Sequence, residues 1–249
     1  MDNSQIELIT SFFKKLDRLG PGCDSQTQKA LSYIPGLEYI EEIADIGCGT
    51  GAQTLALAKY TKARITASDL MPEVIEKLDA KIKNGGYQDR ISTLVADMDD
   101  LPFHENQFDL IWSEGAIYNI GFENGLRKWG KFLKENGYIA VSEATWLTNE
   151  RPREIEEFWQ AAYPEIGTVE DYLKRMEYAG FMTVKYFTLP AECWAENYYE
   201  PIKRRLEEFE KENVSDAAKS FMEAMRREIE MYEKYKDYYG YVFYIGQKL

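Results

Sequence analysis

Residues 43–54 read Ile-Ala-Asp-Ile-Gly-Cys-Gly-Thr-Gly-Ala-Gln-Thr, and this stretch decides the fold. Its first four residues are mostly apolar and predict a buried strand, after which glycines occupy positions 47, 49 and 51. An apolar pattern typical of a helix follows from Leu55 to Tyr60. Glycine lets a backbone turn sharply and approach a ligand without a Cβ atom in the way. The strand, glycine turn and helix therefore predict a nucleotide-binding unit.

The spacing of the glycines leaves two kinds of ligand open. The run from Gly47 to Ala52 also fits the dinucleotide pattern G-x-G-x-x-G/A, so a nicotinamide-dependent enzyme is compatible with it. Asp45 lies on the strand just before the first glycine. A carboxylate there could hold an ammonium group, whereas it would repel a pyrophosphate. Asp45 therefore favours a ligand with a positively charged end.

Acidic residues follow the next two predicted strands. Asp69 comes directly after the strand 64–68, about 20 residues beyond the first glycine, where a carboxylate can accept hydrogen bonds from both ribose hydroxyls. Asp97 follows the strand 91–95, where it could accept a hydrogen bond from an adenine amino group. The backbone of Met98 could then meet the adjacent ring nitrogen. Because parallel strands place their carboxyl ends at one edge of a sheet, these residues are expected to share one site.

The motif from Asp45 to Gly51, these acids and the apolar strand 108–113 resemble class I S-adenosylmethionine-dependent methyltransferases. Within that family, the small-molecule enzymes of ubiquinone and menaquinone biosynthesis are the most similar type. The resemblance covers residues 38–146, and predicted strands at 183–189 and 241–248 extend it over most of the chain. It implies S-adenosylmethionine as the cofactor and in-line methyl transfer to a small-molecule acceptor. Two alternatives stay open: a catalytically inactive S-adenosylmethionine-binding regulatory protein, and a nicotinamide-dependent oxidoreductase.

The resemblance also implies roles for individual residues. The methionine part of the cofactor would lie against Asp45, Gly47, Cys48, Gly49 and Gly51, the ribose against Asp69, and the adenine against Asp97 and Met98. Leu70, next to Asp69, is a further predicted cofactor-binding residue. Ser113 would border the methyl group. Glu114 and Tyr118, which follow the fourth strand, are the predicted catalytic residues, and Tyr198 and Tyr199 are further candidates for a general base.

Alternating strand and helix patterns predict an α/β fold with helices on both faces of the sheet. The resemblance makes this a Rossmann-like, seven-stranded, mostly parallel sheet with an antiparallel last strand. Helices are predicted over 71–83 and 124–134. Residues 1–249 are expected to form a single methyltransferase domain. The helical segment 1–40 and the helical insertion 191–239 are additions to this core and are predicted lid elements.

Composition narrows the classes of function. The net charge of −13 argues against nucleic acid as a partner, because a phosphate backbone requires a basic surface. Three cysteines without a CxxC pair and one histidine predict neither a disulfide framework nor a metal site. No long apolar run or signal-peptide pattern is present in the sequence, so no membrane insertion and a cytoplasmic location are expected. The oligomeric state, the acceptor and the atom methylated stay open at this point.

Overall fold

The computed structural model describes residues 3–249, with side chains from residue 7 onward. Its centre is one mixed sheet, whose strands are β1 (Glu42–Ile46), β2 (Arg64–Asp69), β3 (Ile91–Val95), β4 (Phe108–Glu114), β5 (Leu133–Trp146), β6 (Gly167–Thr168), β7 (Phe181–Thr188) and β8 (Tyr239–Lys248). The seven longer strands lie in the order β3-β2-β1-β4-β5-β8-β7, and the two-residue β6 pairs with the end of β5.

The direction of the strands confirms the expected fold class. β1 pairs in parallel with β2 and β4, and the same direction continues to β3 and β5. Only β8 runs antiparallel, between β5 and β7. The strand order reverses at β1 and β4, and in open sheets of this kind ligands bind at the carboxyl ends of the strands beside such a switch.

Helices cover both faces of the sheet. They are α1 (Asn3–Phe13), α2 (Asp24–Leu31), α3 (Ala52–Tyr60), α4 (Pro72–Gly85), α5 (Phe122–Trp129), α6 (Arg153–Ala162), α7 (Val169–Tyr178), α8 (Glu192–Trp194), α9 (Glu200–Glu212) and α10 (Asp216–Tyr235). One apolar core contains side chains from α5, α7 and one face of the sheet, and a second contains side chains from α2, α3, α4 and the opposite face. In the described part of the chain, no helix is both long and apolar enough to cross a membrane.

One helix boundary differs from the sequence prediction. The helix predicted over 124–134 is α5, which ends at Trp129 and continues only as a 3₁₀ turn to Phe132. Leu133 already belongs to β5, where it is paired with Phe108 of β4. This pairing with a strand distant in sequence overrides the local apolar period that favoured a longer helix.

The two additions to the core pack against each other. The insertion between β7 and β8 contains α8, a π-helical turn over Ala195–Tyr199, α9 and α10. Phe12 of α1 meets Phe209 of α9 and Phe221 of α10, with ring centroids 5.2 and 5.1 Å apart. The N-terminal helix therefore packs directly against the insertion. Met1 and Asp2 of the predicted cap lie outside the described residues.

Candidate active site

A cavity of about 900 Å³ opens at the carboxyl ends of the central strands. The loops that follow β1, β2, β3 and β4 line one side of it. The other side is formed by α1, by the segment that connects α1 to α2, and by the start of the insertion. The lining residues from these additions include Ile9, Thr10, Phe13, Arg18, Leu19 and Tyr198. The strand-end residues and the two additions thus enclose one space.

The glycine loop after β1 is held by main-chain hydrogen bonds to the neighbouring strand. The amides of Gly47 and Cys48 donate to the carbonyl of Ser68, at 2.8 and 2.9 Å. Gly47 and Gly51 have φ values of +72° and +84°, which side chains rarely adopt. A Cβ atom on Gly47 would also lie 2.4 Å from the Cβ of Ala116. The loop conformation therefore requires glycine, and it brings backbone rather than side chains to the cavity wall.

Asp69 joins the glycine loop to the end of β2. Its Oδ2 accepts a hydrogen bond from the amide of Gly49 at 2.9 Å, and its Oδ1 accepts one from the amide of Met71 at 3.1 Å. Burial raises the pKa of Asp69, while these amides act in the opposite direction. Each carboxylate oxygen has a second lone pair, so both can still accept a hydrogen bond from a ligand.

The end of β3 supplies a more open part of the lining. Asp97 is exposed, and its Oδ1 accepts from the amide of Asp99 at 2.9 Å. The carbonyl of Met98 accepts from Nε1 of Trp129 at 3.0 Å, which fixes the backbone at this position. Leu70 also lines the cavity although 64% of its surface is exposed. A flat apolar ligand could cover this side chain.

Three residues predicted to contact the cofactor lie outside the cavity lining. Gly51 turns into α3, and Ser113 is fully buried within the sheet. Asp45 is also fully buried, and its carboxylate accepts from Thr54 and Gln53 at the start of α3. Burial raises the pKa of Asp45 to about 7, and the nearby Glu114 and Asp69 add to the rise. Direct contact of Asp45 with a ligand ammonium is therefore corrected to support of Gln53, which does line the cavity.

Glu114 lines the cavity, but its carboxylate is already engaged. Its Oε2 accepts from Nη1 of Arg18 at 2.9 Å, and its Oε1 accepts from Oγ1 of Thr27 at 2.7 Å and Nε1 of Trp112 at 3.0 Å. Its side chain is 4% exposed. Three donors thus already occupy the two oxygens of this carboxylate. In the structure Glu114 fixes the N-terminal segment through Arg18 and Thr27, and its role as a general base stays a prediction.

The predicted tyrosines separate into two groups. Tyr118 and Tyr198 line the cavity, whereas Tyr199 is buried in the insertion and donates to Glu228 at 3.0 Å. Desolvation raises the pKa of Tyr118, and the carboxylate of Glu143 raises it further. Burial likewise raises the pKa of Tyr198 well above its usual value. Both phenols that face the cavity are therefore neutral at physiological pH and can orient a ligand by hydrogen bonds.

Sequence reasoning missed several lining residues. Arg18, Asn119 and Asn124 carry polar groups to the cavity, but none of them belongs to a motif or follows a strand of the sheet directly. They reach the site through the packing of distant segments, which no local pattern reports. No group of three or more His, Cys, Asp and Glu side chains in the described residues could hold a metal ion.

Comparison with known proteins places this site in a family. A family model described as a methyltransferase domain matches residues 43–137, which include the glycine loop and the ends of β2, β3 and β4. The ubiquinone/menaquinone biosynthesis C-methyltransferase of Citrifermentans bemidjiense is 29% identical over 153 residues, covering 60% of this chain and 65% of that protein. Residues 43–137 match a methyltransferase domain, and these relatives support a class I S-adenosylmethionine-dependent methyltransferase.

Solved structures agree on the fold. The [4+2]-cyclase SpnF superposes with a TM-score of 0.77 at 18% identity, covering 98% of this chain and 94% of that one. Phosphoethanolamine N-methyltransferase 2 of Haemonchus contortus, solved with S-adenosyl-L-methionine, gives a TM-score of 0.70 at 17% identity, covering 99% of this chain and 57% of that one. The chain spans between 37% and 65% of the length of curated relatives that it matches.

The residues present fit S-adenosylmethionine, the cofactor of this family. The Gly49 amide and Asp69 form one continuous hydrogen-bonded wall, and a Cβ atom at Gly49 would enter the space beside Leu19 at 3.0 Å. An acidic strand end suits a ribose, and the exposed Leu70 suits a purine ring. The wall has no basic cluster for a pyrophosphate among the described lining residues. The nicotinamide-dependent alternative thus gains no support.

Proposed function

We propose that this protein transfers a methyl group from S-adenosylmethionine to a small-molecule acceptor. The observation that carries the proposal is the single cavity of about 900 Å³, in which the family's cofactor residues and an aromatic wall face the same space. A cavity of this size suits a cofactor together with a small ligand. The net charge of −13 disfavours a nucleic-acid acceptor, and the cover that α1 and the insertion provide favours a small acceptor.

The cofactor would lie along the strand ends. Asp69 would hold the ribose, Leu70 would lie against the purine ring, and Asp97 with the backbone of Met98 would hold the adenine edge. The methionine part would lie against Gly47, Cys48, Gly49 and Gln53, close to the end of β4. This placement is supported by the lining residues and by the amides already directed at Asp69.

The protein's contribution to the reaction would be orientation and exclusion of water. When bound, the cofactor supplies an electrophilic methyl group on a sulfonium, and transfer requires the acceptor atom in line with it. Tyr118 and Tyr198 are placed to orient the acceptor as neutral phenols. Phe13 and Ile9 of α1 present apolar surface to the same space and would keep water away.

A screen of metabolites with S-adenosylmethionine tests the proposal. Release of S-adenosylhomocysteine, read as homocysteine after enzymatic cleavage, should rise with at least one small-molecule acceptor. The Gly49→Val variant serves as the inactive control. Tight binding of S-adenosylhomocysteine with no turnover across amine, hydroxyl, thiol and acidic-carbon acceptors would instead favour a regulatory protein that binds the cofactor without catalysis.

The additions are proposed to act as a lid. Helix α1 and the start of the insertion line the cavity, and α1 packs through Phe12 against the later helices α9 and α10 of the insertion. Closing over the cofactor would therefore order both additions. Amide hydrogen exchange should slow in α1 and in residues 191–239 when S-adenosylhomocysteine is added. Helix α7, which lies on the opposite face of the sheet, should not change and serves as the internal control. Unchanged exchange in both additions would contradict the lid.

A further inference from the structure

Arg18 lies in the segment that joins α1 to α2 and reaches the cavity across the glycine loop. Its side chain is 11% exposed, and its Nη1 donates to Glu114 at 2.9 Å. The segment around it is fixed at two further points. Oγ1 of Thr50 donates to the carbonyl of Asp17 at 2.7 Å, and Nζ of Lys77 donates to the carbonyl of Leu16 at 2.8 Å. Arg18 is therefore held in place before any ligand binds.

The guanidinium of Arg18 is only partly paired. Its Nη2 is buried and has no hydrogen-bond partner among the residues that the structure describes. Oδ1 of Asp24 is 3.8 Å from this Nη2, which is beyond hydrogen-bond distance. A buried donor without an acceptor is costly, particularly on a charged group. Arg18 lines the cavity, and a small rotation of its guanidinium would bring this unpaired donor to a ligand acceptor there.

The charges of the lining residues indicate which kind of ligand group Arg18 would bind. Among the described residues that line the cavity, Arg18 is the sole arginine or lysine, and the acids there are Asp69, Asp97, Asp99 and Glu114. An anionic group in the cavity is therefore attracted to Arg18 and repelled elsewhere. Arg18 is next to Leu19, whose side chain contacts Gly49, so it stands at the glycine-loop end of the cavity. This is where the methionine part of the cofactor is placed above.

We propose that Arg18 binds the carboxylate of the methionine part of S-adenosylmethionine, and that Glu114 positions its guanidinium for this contact. The inference rests on the proposed function, because it presumes that the cavity holds this cofactor. A guanidinium presents parallel N–H donors that match a carboxylate, and one edge is already used by Glu114. The remaining donors would complete the contact.

Calorimetry with two ligands tests this role. S-adenosylhomocysteine carries the carboxylate, and 5′-methylthioadenosine lacks it but keeps the adenosine. Arg18→Met should weaken binding of S-adenosylhomocysteine roughly 10- to 100-fold, the range for a lost hydrogen bond to a charged group, and leave 5′-methylthioadenosine unchanged. Arg18→Lys, which keeps the charge without the planar fork, should give an intermediate loss.

A matched control distinguishes loss of the Arg18–carboxylate contact from an indirect effect of altering the hydrogen bonds of Glu114. Thr27→Val removes another donor to Glu114 but leaves Arg18 intact, and it should keep the affinity for S-adenosylhomocysteine. Circular dichroism and the melting temperature confirm that each variant is folded. Equal affinity of wild type and folded Arg18→Met or Arg18→Lys for S-adenosylhomocysteine overturns the inference, as does an equal loss for both ligands. Failure of the wild type to bind S-adenosylhomocysteine overturns the proposed function as well.

A second, independent observation concerns two cysteines. The Sγ atoms of Cys23 and Cys193 lie 3.6 Å apart, although the residues are 170 positions apart in the chain. Cys23 directly precedes α2, and Cys193 lies in α8. The amide of Gly22 also donates to the carbonyl of Cys193 at 3.3 Å. The contact thus joins the two additions that line the cavity.

The two cysteines differ in their exposure to solvent. Cys23 is half-buried, whereas Cys193 is fully buried, and burial and the neighbouring Cys23 raise the pKa of the Cys193 thiol. A disulfide requires the sulfur atoms to approach to about 2.05 Å, which rotation of the side chains must supply. Cys23 is therefore the thiol that an oxidant reaches first, and Cys193 is placed to react with it next.

We infer that Cys23 and Cys193 form a reversible disulfide that links the N-terminal segment to the insertion and slows ligand exchange. With a peroxide as oxidant, the Cys23 sulfur attacks one oxygen, gives a sulfenic acid and releases one water. The Cys193 sulfur then attacks the sulfenic sulfur, and a second water leaves as the S–S bond forms. Two thiols lose two electrons and two protons, and the peroxide is reduced to two waters.

Thiol counting after treatment of the wild-type protein with hydrogen peroxide tests this inference. The three thiols should fall to one, with the remaining thiol on Cys48, and dithiothreitol should restore all three. Dissociation of S-adenosylhomocysteine should be slower from the oxidised protein, and Cys23→Ser should abolish this effect. Mass spectrometry that finds no linked Cys23 and Cys193 peptides, or dissociation that oxidation does not slow, overturns it.

Discussion

Replacing Gly49 with valine is expected to abolish binding of S-adenosylmethionine while the protein stays folded. Gly49 has a φ of +52°, a conformation that a β-branched residue strongly disfavours, and a Cβ atom would lie 3.0 Å from Leu19. Its amide also donates to Asp69, so a shift of the loop displaces the carboxylate too. We expect affinity to fall more than roughly 100-fold, with a stability cost of about 1–3 kcal/mol.

Gly86→Val is the matched control for this prediction. Gly86 ends α4 with a φ of +73° and has nothing within 4 Å of its added Cβ, so the substitution brings similar backbone strain away from the cavity. Both variants should lose stability, but only Gly49→Val should lose binding. Circular dichroism and calorimetry on the same samples provide the comparison. Micromolar binding by Gly49→Val would mean that the loop does not contact the ligand.

Replacing Asp69 with alanine should weaken S-adenosylmethionine binding by about 1.5–3 kcal/mol, the range for hydrogen bonds to a charged acceptor. The loss has two sources in the structure. The ribose would lose its acceptors, and the amides of Gly49 and Met71 would lose theirs. Calorimetry with S-adenosylhomocysteine measures the combined loss of binding free energy from both sources.

Asp69→Asn helps to separate these sources. The amide side chain keeps the shape and one carbonyl acceptor but presents donors in place of the second oxygen. An intermediate loss of affinity is expected from this variant, with a smaller effect on the melting temperature than Asp69→Ala produces. If Asp69→Ala binds as tightly as the wild type, the ribose assignment is wrong.

The shared location of the strand-end acids could be predicted because these residues follow strands directly. Asp69 and Asp97 occupy successive strand ends, and a parallel sheet brings such ends together whatever the rest of the chain does. The alternating pattern also predicted the mostly parallel sheet correctly, and the family resemblance predicted its antiparallel last strand. Local sequence is sufficient where geometry follows from strand direction alone.

The direction in which a side chain within a strand points could not be predicted as reliably. Asp45 and Ser113 belong to strands that are buried on both faces, so their apolar neighbours do not show which way a side chain points. Both turn out to lie away from the cavity. The predicted end of α5 was wrong for a related reason, because the pairing of Leu133 with Phe108 is a tertiary contact.

The part of the cavity proposed to hold the methyl acceptor was the hardest to predict. Glu114 follows its strand as expected, but its engagement depends on Arg18 and Thr27, which are 96 and 87 positions away in the chain. No period or motif encodes a contact of that range. The same holds for Tyr198, which α1 and the insertion bring to the cavity through packing between two added segments.

Calorimetry of the wild-type protein with S-adenosylhomocysteine and, separately, with NADH tests the central claim most directly. If the cavity is the cofactor site of a methyltransferase, S-adenosylhomocysteine should bind with one site per chain at micromolar affinity or better, and NADH should give no measurable heat. Binding of NADH without binding of S-adenosylhomocysteine would contradict the account.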